Sequence, residues 1–351
     1  MKALVFGGVE RVAVAEVEEP RLVESDDALV DISAAGLCGS DLHPYFGREV
    51  GIDHGTILGH EFVGRVSAVG DGVRSLSVGD RVVSPFTTSC GECPPCRSGL
   101  TARCDRGQLF GWVQDGIGLP GAQAERVRVP LADGTLVPVP QGLDDGLALL
   151  AGDILSTALY AADLARVSAG QTVAIVGCGP VGLLAVRAAL HRGASEVLAV
   201  DRVASRLELA RHFGATPVHL DEGDLGSIIT RTGDGRGAHA AIEAVGNASA
   251  TRCAADMVRP GGVIGAVGVH TEPHLALSPG ELYDRNLTYS AGRCSARHFL
   301  PEALEIAGRD ADLLSGLLTH RLPLAEGPRA YQAFGAREEG WGKVVFLPGS
   351  P

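Results

Sequence analysis

The chain has 351 residues, a formal net charge of −12, 45% hydrophobic and 21% charged residues. That length exceeds one small core and suits two domains, and the composition is that of a folded globular protein. The acidic balance argues against a nucleic-acid partner, and neither a bilayer-spanning apolar run nor a signal peptide is read, so a cytoplasmic protein with no membrane partner is expected.

The chain opens on a strand-like pattern, and short strands follow at 28–32, 62–66 and 80–83, separated by Gly- and Pro-rich turns. This density of short strands predicts an irregular β-rich domain over roughly the first 150 residues. Three pieces of it carry chemistry. Cys38-Gly39-Ser40-Asp41-Leu42-His43, Leu58-Gly59-His60-Glu61 and Gly152-Asp153 together offer one sulfur, one nitrogen and one oxygen donor, from Cys38, His60 and Asp153. Such a set binds Zn²⁺ and leaves the fourth position for water or substrate. Glu61 and Asp41 are the carboxylates placed to orient a ligand or the metal. A zinc ion there would act as a Lewis acid and lower the pKa of a bound alcohol. Ser40 would then receive the proton, and His43 would pass it towards solvent.

Between these pieces lie Cys90, Cys93, Cys96 and Cys104, spaced by two, two and seven intervening residues. Half of the eight cysteines fall in this one segment, which points to a metal rather than to disulfides. Four thiolates close a tetrahedral shell, so the expected zinc is structural and orders a loop with little apolar content. An iron–sulfur cluster also takes four thiolates, but the rest of the chain offers no redox partner.

From about Leu155 the texture changes. Apolar strands at 172–176, 197–200, 240–243 and 262–267 alternate with helical stretches at 181–192 and 205–213, the pattern of βαβ units on a parallel sheet. Gly177-Cys178-Gly179-Pro180-Val181-Gly182 joins the first of these strands to its helix. Gly177 allows the tight turn, Gly179 lets backbone approach a pyrophosphate, and Gly182 permits close helix packing. The helix N-terminus stabilises the phosphate charge. Asp201 closes the next strand, where a carboxylate bonds ribose hydroxyls and repels a 2′-phosphate. NAD is therefore favoured over NADP, a preference that Arg202 can blunt. After about Arg293 one or two helices and a closing strand over 343–347 are expected.

In Gly59-His60-Glu61, Cys38-Gly39-Ser40-Asp41, the four-cysteine lobe and the Gly177–Gly182 loop, the chain resembles the zinc-dependent alcohol dehydrogenases of the medium-chain dehydrogenase/reductase superfamily. The likeness runs over essentially the full length. It implies an α/β architecture: a GroES-like β-rich catalytic domain over 1–154, with the zinc lobe at about 88–106, and a doubly wound Rossmann domain over 155–294. Residues 295–351 return to the catalytic domain. It also implies one catalytic zinc on Cys38, His60 and Asp153, with Asp153 in place of a cysteine that many members use, and one structural zinc. Glu61 matches the adjacent acid, and Ser40 and His43 match the proton relay. Arg206 matches a basic residue near the adenosine ribose, Val267 to Val269 the segment beside the nicotinamide, and Lys343 a basic position near the pyrophosphate. Gly39 stands where several relatives carry a basic pyrophosphate-binding residue, so the phosphates must rely more on the Gly loop and other cations. Phe86 and Trp112 are candidates to line the substrate pocket.

The expected reaction is reversible hydride transfer from a primary or secondary alcohol to NAD, giving an aldehyde or ketone. A polyol, threonine or formaldehyde dehydrogenase with the same machinery is the alternative among enzymes. A catalytically silent zinc- and nucleotide-binding relative is the alternative outside them. The partner is a small-molecule alcohol or carbonyl compound, and a homo-oligomer is expected, tetramer before dimer, with the segment near 287–289 as a strand edge able to pair across a two-fold axis.

Overall fold

The structure is a computed structural model that describes residues 1–221, 226, 232 and 235–349. It divides into two compact units, Met1–Ser156 with Ser295–Pro351, and Thr157–Cys294. The boundary read from the sequence after residue 154 lies close to this division, inside the helical stretch Asp145–Leu164.

A seven-stranded sheet organises the first unit. Strand Ala28–Leu37 is its axis, pairing antiparallel with Phe62–Val69, Arg126–Val129 and Lys343–Phe346. Its first half buries Ala28, Val30 and Ile32 and leaves Asp31 and Ser33 exposed, the period-two pattern of a sheet with one wet face. From Ala34 to Leu37 every residue is buried, so the strand ends in the interior just before Cys38. Phe62 follows His60 and Glu61 into the core, where its ring meets Phe110 edge-on at 5.2 Å. Truncating such a ring costs roughly 3–5 kcal/mol, so the segment that bears His60 is pinned by its own continuation.

The C-terminal return adds helices Ala296–Arg309, Ala311–Ser315 and Gly327–Gly335, and strand Leu318–Leu322 beside Lys343–Phe346. The sequence pattern predicts fewer helices and only the last strand. Leu318–Leu322 is an edge strand whose Thr-His-Arg centre is half-exposed, so it carries no apolar run to reveal it.

Asp145–Leu150, a π-helical turn Ala151–Leu155 and Ser156–Leu164 form one apolar helical stretch. Asp144 caps its start by accepting from the Gly146 amide at 2.8 Å. In the widened turn the Ser156 hydroxyl donates to the Ala151 carbonyl at 2.7 Å. Gly152 presses on strand Arg81–Ser84, where a Cβ would lie 2.6 Å from the Ser84 carbonyl oxygen. Contrary to expectation, Asp145–Leu164 is long and apolar enough to cross a membrane, but 78% of that window is buried inside the protein. It is built as a core helix.

The second unit is a six-stranded parallel sheet in the order Thr216–His219, Glu196–Asp201, Thr172–Val176, Ala238–Glu243, Val258–Ala266, Thr288–Ala291. The chain reverses its direction of winding at Thr172–Val176, and the open space beyond the carboxyl end of such a strand is where ligands bind in doubly wound folds. All five residues of that strand are buried, as expected where both faces of a parallel sheet are covered. Helices Pro180–His191, Ala204–His212 and Ala248–Met257 follow strands Thr172–Val176, Glu196–Asp201 and Ala238–Glu243.

Candidate metal centres and coenzyme loop

Cys38 follows strand Ala28–Leu37, His60 and Glu61 precede strand Phe62–Val69, and Asp153 sits in the π-helical turn. One donor atom from each of these four residues lies within 4.8 Å of the others. Asp153 Oδ2 is 3.6 Å from Cys38 Sγ and 3.4 Å from His60 Nε2. His60 Nδ1 faces Asp41 Oδ1 at 3.1 Å. A carboxylate accepts, so Nδ1 carries a hydrogen, and Nε2 is the nitrogen left to ligate a metal at the cluster. Ser40 Oγ stands 3.2 Å from the same Nε2, and the Phe86 ring meets the imidazole edge-on at 6.3 Å.

Glu61 is tied down on one side only. Its Oε2 accepts from the buried Lys343 ammonium, which also donates to the Leu37 carbonyl at 3.3 Å. Its Oε1 is buried and has no hydrogen-bond partner. Burial raises the Glu61 carboxyl to about 7, with Lys343 pulling the other way. Burial also raises the Cys38 thiol, and the charges of Asp153 and Glu61 add to it. At His60 burial works against charge, but Asp41 and Asp153 outweigh it and lift the imidazole well above the usual range. Burial is the largest cause at Cys38 and Glu61, and at all three groups neighbouring carboxylates favour the protonated form. A divalent cation offsets those carboxylates, and the mixed sulfur, nitrogen and oxygen donors suit zinc.

The cysteine lobe solves its problem locally. Cys90, Cys93, Cys96 and Cys104 converge within the same 4.8 Å limit, and among the described residues these two clusters are the groups found able to hold a metal. Short helix Pro94–Arg97 and the 3₁₀ turn Thr101–Arg103 bend the segment back on itself. Backbone amides donate to the sulfurs: Glu92 and Cys93 to Cys90, at 3.5 and 3.4 Å, and Cys90 to Cys104 at 3.2 Å. At Cys90 burial works upward, but those two amides outweigh it and bring the thiol down to about 7, while burial pushes Cys96 up to about 12. All eight cysteines are free thiols.

In the second unit the Gly loop has the shape its sequence predicts. Gly177 has φ +94°, and a Cβ on Gly182 would fall 1.7 Å from the Gly177 carbonyl oxygen. Gly179 has nothing within 4 Å of where its Cβ would be, which leaves room for a phosphate over the start of Pro180–His191. Asp201 accepts from the Cys178 amide at 2.7 Å and from the Arg202 and Val203 amides at 2.7 and 2.9 Å. Arg206 approaches Asp201 at 3.9 Å, whereas exposed Arg202 pairs with Asp221 at 3.3 Å. Val269 is exposed beyond strand Val258–Ala266, with Val267 half-buried beside it.

Other residues singled out from the sequence have different surroundings. His43 lies in the short helix Leu42–Tyr45, half-buried, with Nδ1 unpartnered and no hydrogen bond to Ser40. Gly39 is exposed and open around its Cα. Trp112 packs on the first unit's core. Lys343, expected beside a pyrophosphate, is only 2% exposed, and Glu61 is its first partner. Two arrangements escape sequence reading because their members lie far apart in the chain. One is Gln123, whose Oε1 accepts from the Tyr331 hydroxyl at 2.8 Å. The other is Glu243, fully buried, whose Oε1 accepts from the Val245 and Gly246 amides at 2.7 Å each and whose Oε2 meets His270 Nε2 at 3.0 Å. It joins the loops that follow two neighbouring strands of the parallel sheet.

The sequence profile of the alcohol dehydrogenase GroES-like domain matches residues 24–141, and that of the zinc-binding dehydrogenase domain matches residues 180–308. The chain belongs to the zinc-dependent alcohol dehydrogenases of the medium-chain dehydrogenase/reductase superfamily. It is 40% identical to zinc-type alcohol dehydrogenase B of Aspergillus flavus, over 99% of this chain and 82% of that protein. The solved alcohol dehydrogenase of Thermus sp. ATN1 superposes with a TM-score of 0.92 at 40% identity, covering 99% of each chain. An NADP-dependent isopropanol dehydrogenase of Thermoanaerobacter brockii is 35% identical over 78% of this chain and 77% of that one. The chain is thus an oxidoreductase of alcohols by family, with the Rossmann and GroES-like domains of that family.

Proposed function

We propose that the chain oxidises a primary or secondary alcohol to the aldehyde or ketone, reversibly, with one zinc at the Cys38 cluster, one in the cysteine lobe, and NAD as hydride acceptor. The observation that carries this reading is the gathering of Cys38, His60, Glu61 and Asp153 donor atoms from three distant segments into one buried cluster. Cys38, His60 and Asp153 would hold the metal and leave its fourth position to the alcohol, with the unpartnered Glu61 Oε1 beside them. Zinc supplies Lewis acidity there, lowering the pKa of an alcohol hydroxyl. Ser40 stands at the cluster to take the hydroxyl proton, and His43, half-buried and with a free ring nitrogen, hands it on.

NAD is preferred because Asp201, fixed by three backbone amides, keeps a carboxylate where the adenosine ribose is read. The Gly177–Gly182 loop, Val267 and Val269 complete the coenzyme contacts. NADP is the second reading, favoured by Arg206 beside Asp201 and by exposed Arg202. A homo-oligomer accompanies the first reading: among the described residues strand Thr288–Ala291 ends the parallel sheet, an edge suited to pairing across a two-fold axis, and likeness to the family favours a tetramer over a dimer.

The test is a screen of short primary, secondary and polyhydroxy alcohols with NAD and NADP in parallel, with zinc counted per chain. Two zinc ions, NAD reduction by at least one alcohol, and its loss in Cys38→Ala are expected. Full zinc sites with no alcohol reducing either coenzyme would overturn the dehydrogenase reading.

A further inference from the structure

Behind the Cys38 cluster runs a chain of buried polar side chains that the reaction itself does not call for. Tyr331, on helix Gly327–Gly335 of the C-terminal return, is fully buried and donates from its hydroxyl to Gln123 Oε1 at 2.8 Å. Gln123, also fully buried, donates from Nε2 to the Gly36 carbonyl at 2.9 Å and to Asp41 Oδ2 at 3.3 Å. Asp41 Oδ2 accepts from the Cys38 amide as well, at 2.9 Å, and Asp41 Oδ1 holds His60 Nδ1. The Gln123 stem touches the other ligand segment directly: a Cβ on Gly59, the residue before His60, would lie 2.4 Å from Gln123 Cγ. One side chain therefore braces both the strand end that carries Cys38 and the turn that carries His60.

The chemistry selects glutamine. The Gly36 carbonyl can only accept and the Asp41 carboxylate only accepts when ionised, so the amide NH₂ must face them. That leaves Oε1 for the Tyr331 hydroxyl, which fixes the amide in one orientation. A glutamate would set like charge against Asp41, and an aliphatic residue would leave the Gly36 carbonyl and the Tyr331 hydroxyl buried without partners.

We propose that Gln123, oriented by Tyr331, is a positioning residue that fixes Cys38 and His60 relative to each other and so sets the affinity of the open cluster for its metal. The proposal rests on the zinc reading above. Partners of this kind, one bond behind the ligands, typically change metal affinity by about 10–100-fold.

The cysteine lobe is a built-in reference, because no part of this chain of bonds reaches it. Gln123→Met removes all the amide bonds at similar volume, and Tyr331→Phe removes one hydroxyl and serves if the first variant folds poorly. Zinc would be counted in the purified holoprotein and its release followed under a chelator such as dipicolinate, beside wild type and Cys38→Ala. The expected result is faster loss of one zinc, the one missing in Cys38→Ala, by about 10–100-fold for Gln123→Met and several-fold for Tyr331→Phe. The lobe zinc should stay near wild type in Tyr331→Phe, and the thermal midpoint should fall only by a few degrees, since Gln123 Oε1 loses its donor. Cobalt in the open cluster should show an altered visible spectrum in both variants. Wild-type release from both variants, or parallel loss of both zinc ions, overturns the proposal. A wild-type chain that holds only the lobe zinc overturns the zinc reading itself, and the proposal with it.

Discussion

The two four-donor clusters differ first in how far apart their members stand in the chain. Cys90 and Cys104 are 14 positions apart, whereas Cys38 and Asp153 are 115 apart. The lobe sulfurs are braced by amides of their own segment, and few apolar side chains pack behind them. The open cluster is braced by Asp41, three residues after Cys38, and by side chains from remote segments: Gln123, Tyr331 and Lys343. A metal in the first organises the protein around it. In the second the protein organises the site for the metal.

The largest effect expected from this contrast is in the lobe. Replacing Cys93 or Cys104 by Ala should unfold the segment around 88–106, because structural zinc in small domains supplies roughly 10–16 kcal/mol of apparent binding free energy. Limited proteolysis should cut within that segment, with one zinc per chain lost. Cys38→Ala should do the reverse: about a thousandfold loss of kcat/KM, corresponding to several kcal/mol of Lewis-acid assistance, with a thermal midpoint near wild type. Equal thermal losses in the two variants would show that the two clusters contribute alike to the fold.

Next comes the Lys343–Glu61 pair, both partners buried. Removing one partner of a buried pair strands the other charge, so Lys343→Met should destabilise the protein by about 3–5 kcal/mol in denaturant unfolding. Lys343→Met with Glu61→Gln should recover part of that loss. Strictly additive effects would show that the two groups are not coupled.

The same contrast explains what could be read from the sequence. The lobe was legible because its donors recur at short spacing in one segment. So was the Gly177–Gly182 loop, because the strand before it and the helix after it are continuous in the chain. Strand Thr172–Val176 and helix Pro180–His191 are apolar at the right periods, and they fold where the pattern places them. No local spacing joins Cys38, His60 and Asp153; only their donor types and their joint occurrence ahead of the Gly177–Gly182 loop pointed to one site. Gln123, Tyr331 and Glu243 were not legible at all. The side-chain partner of each lies 27 to 208 positions away. Burial of a hydrogen-bonding group has no sequence periodicity. The π-helical turn that aims Asp153 was equally hidden, because its residues read as ordinary helix.

The smallest effect concerns the proton path at the edge of the open cluster. Burial lowers the pKa of His43 below the usual 6.5, with Arg48 adding to the shift and Glu49 opposing it. The folded ring is therefore neutral above pH 6.5 and able to accept a proton, and it loses that ability only on further acidification. If His43 carries the proton outward, alcohol oxidation should show an acid limb with a midpoint below 6.5. His43→Gln should abolish that limb and lower kcat about tenfold, less than the 10²–10⁴ of a direct general base, since Ser40 makes the first transfer. Stability moves the same way with pH. An unfolded histidine takes up a proton near 6.5 while the folded one resists, so the fold loses stability as pH falls through that window. A variant that keeps the acid limb but gains stability below pH 6.5 would separate the two roles: the burial of His43 would be real, and the proton would leave Ser40 by another route.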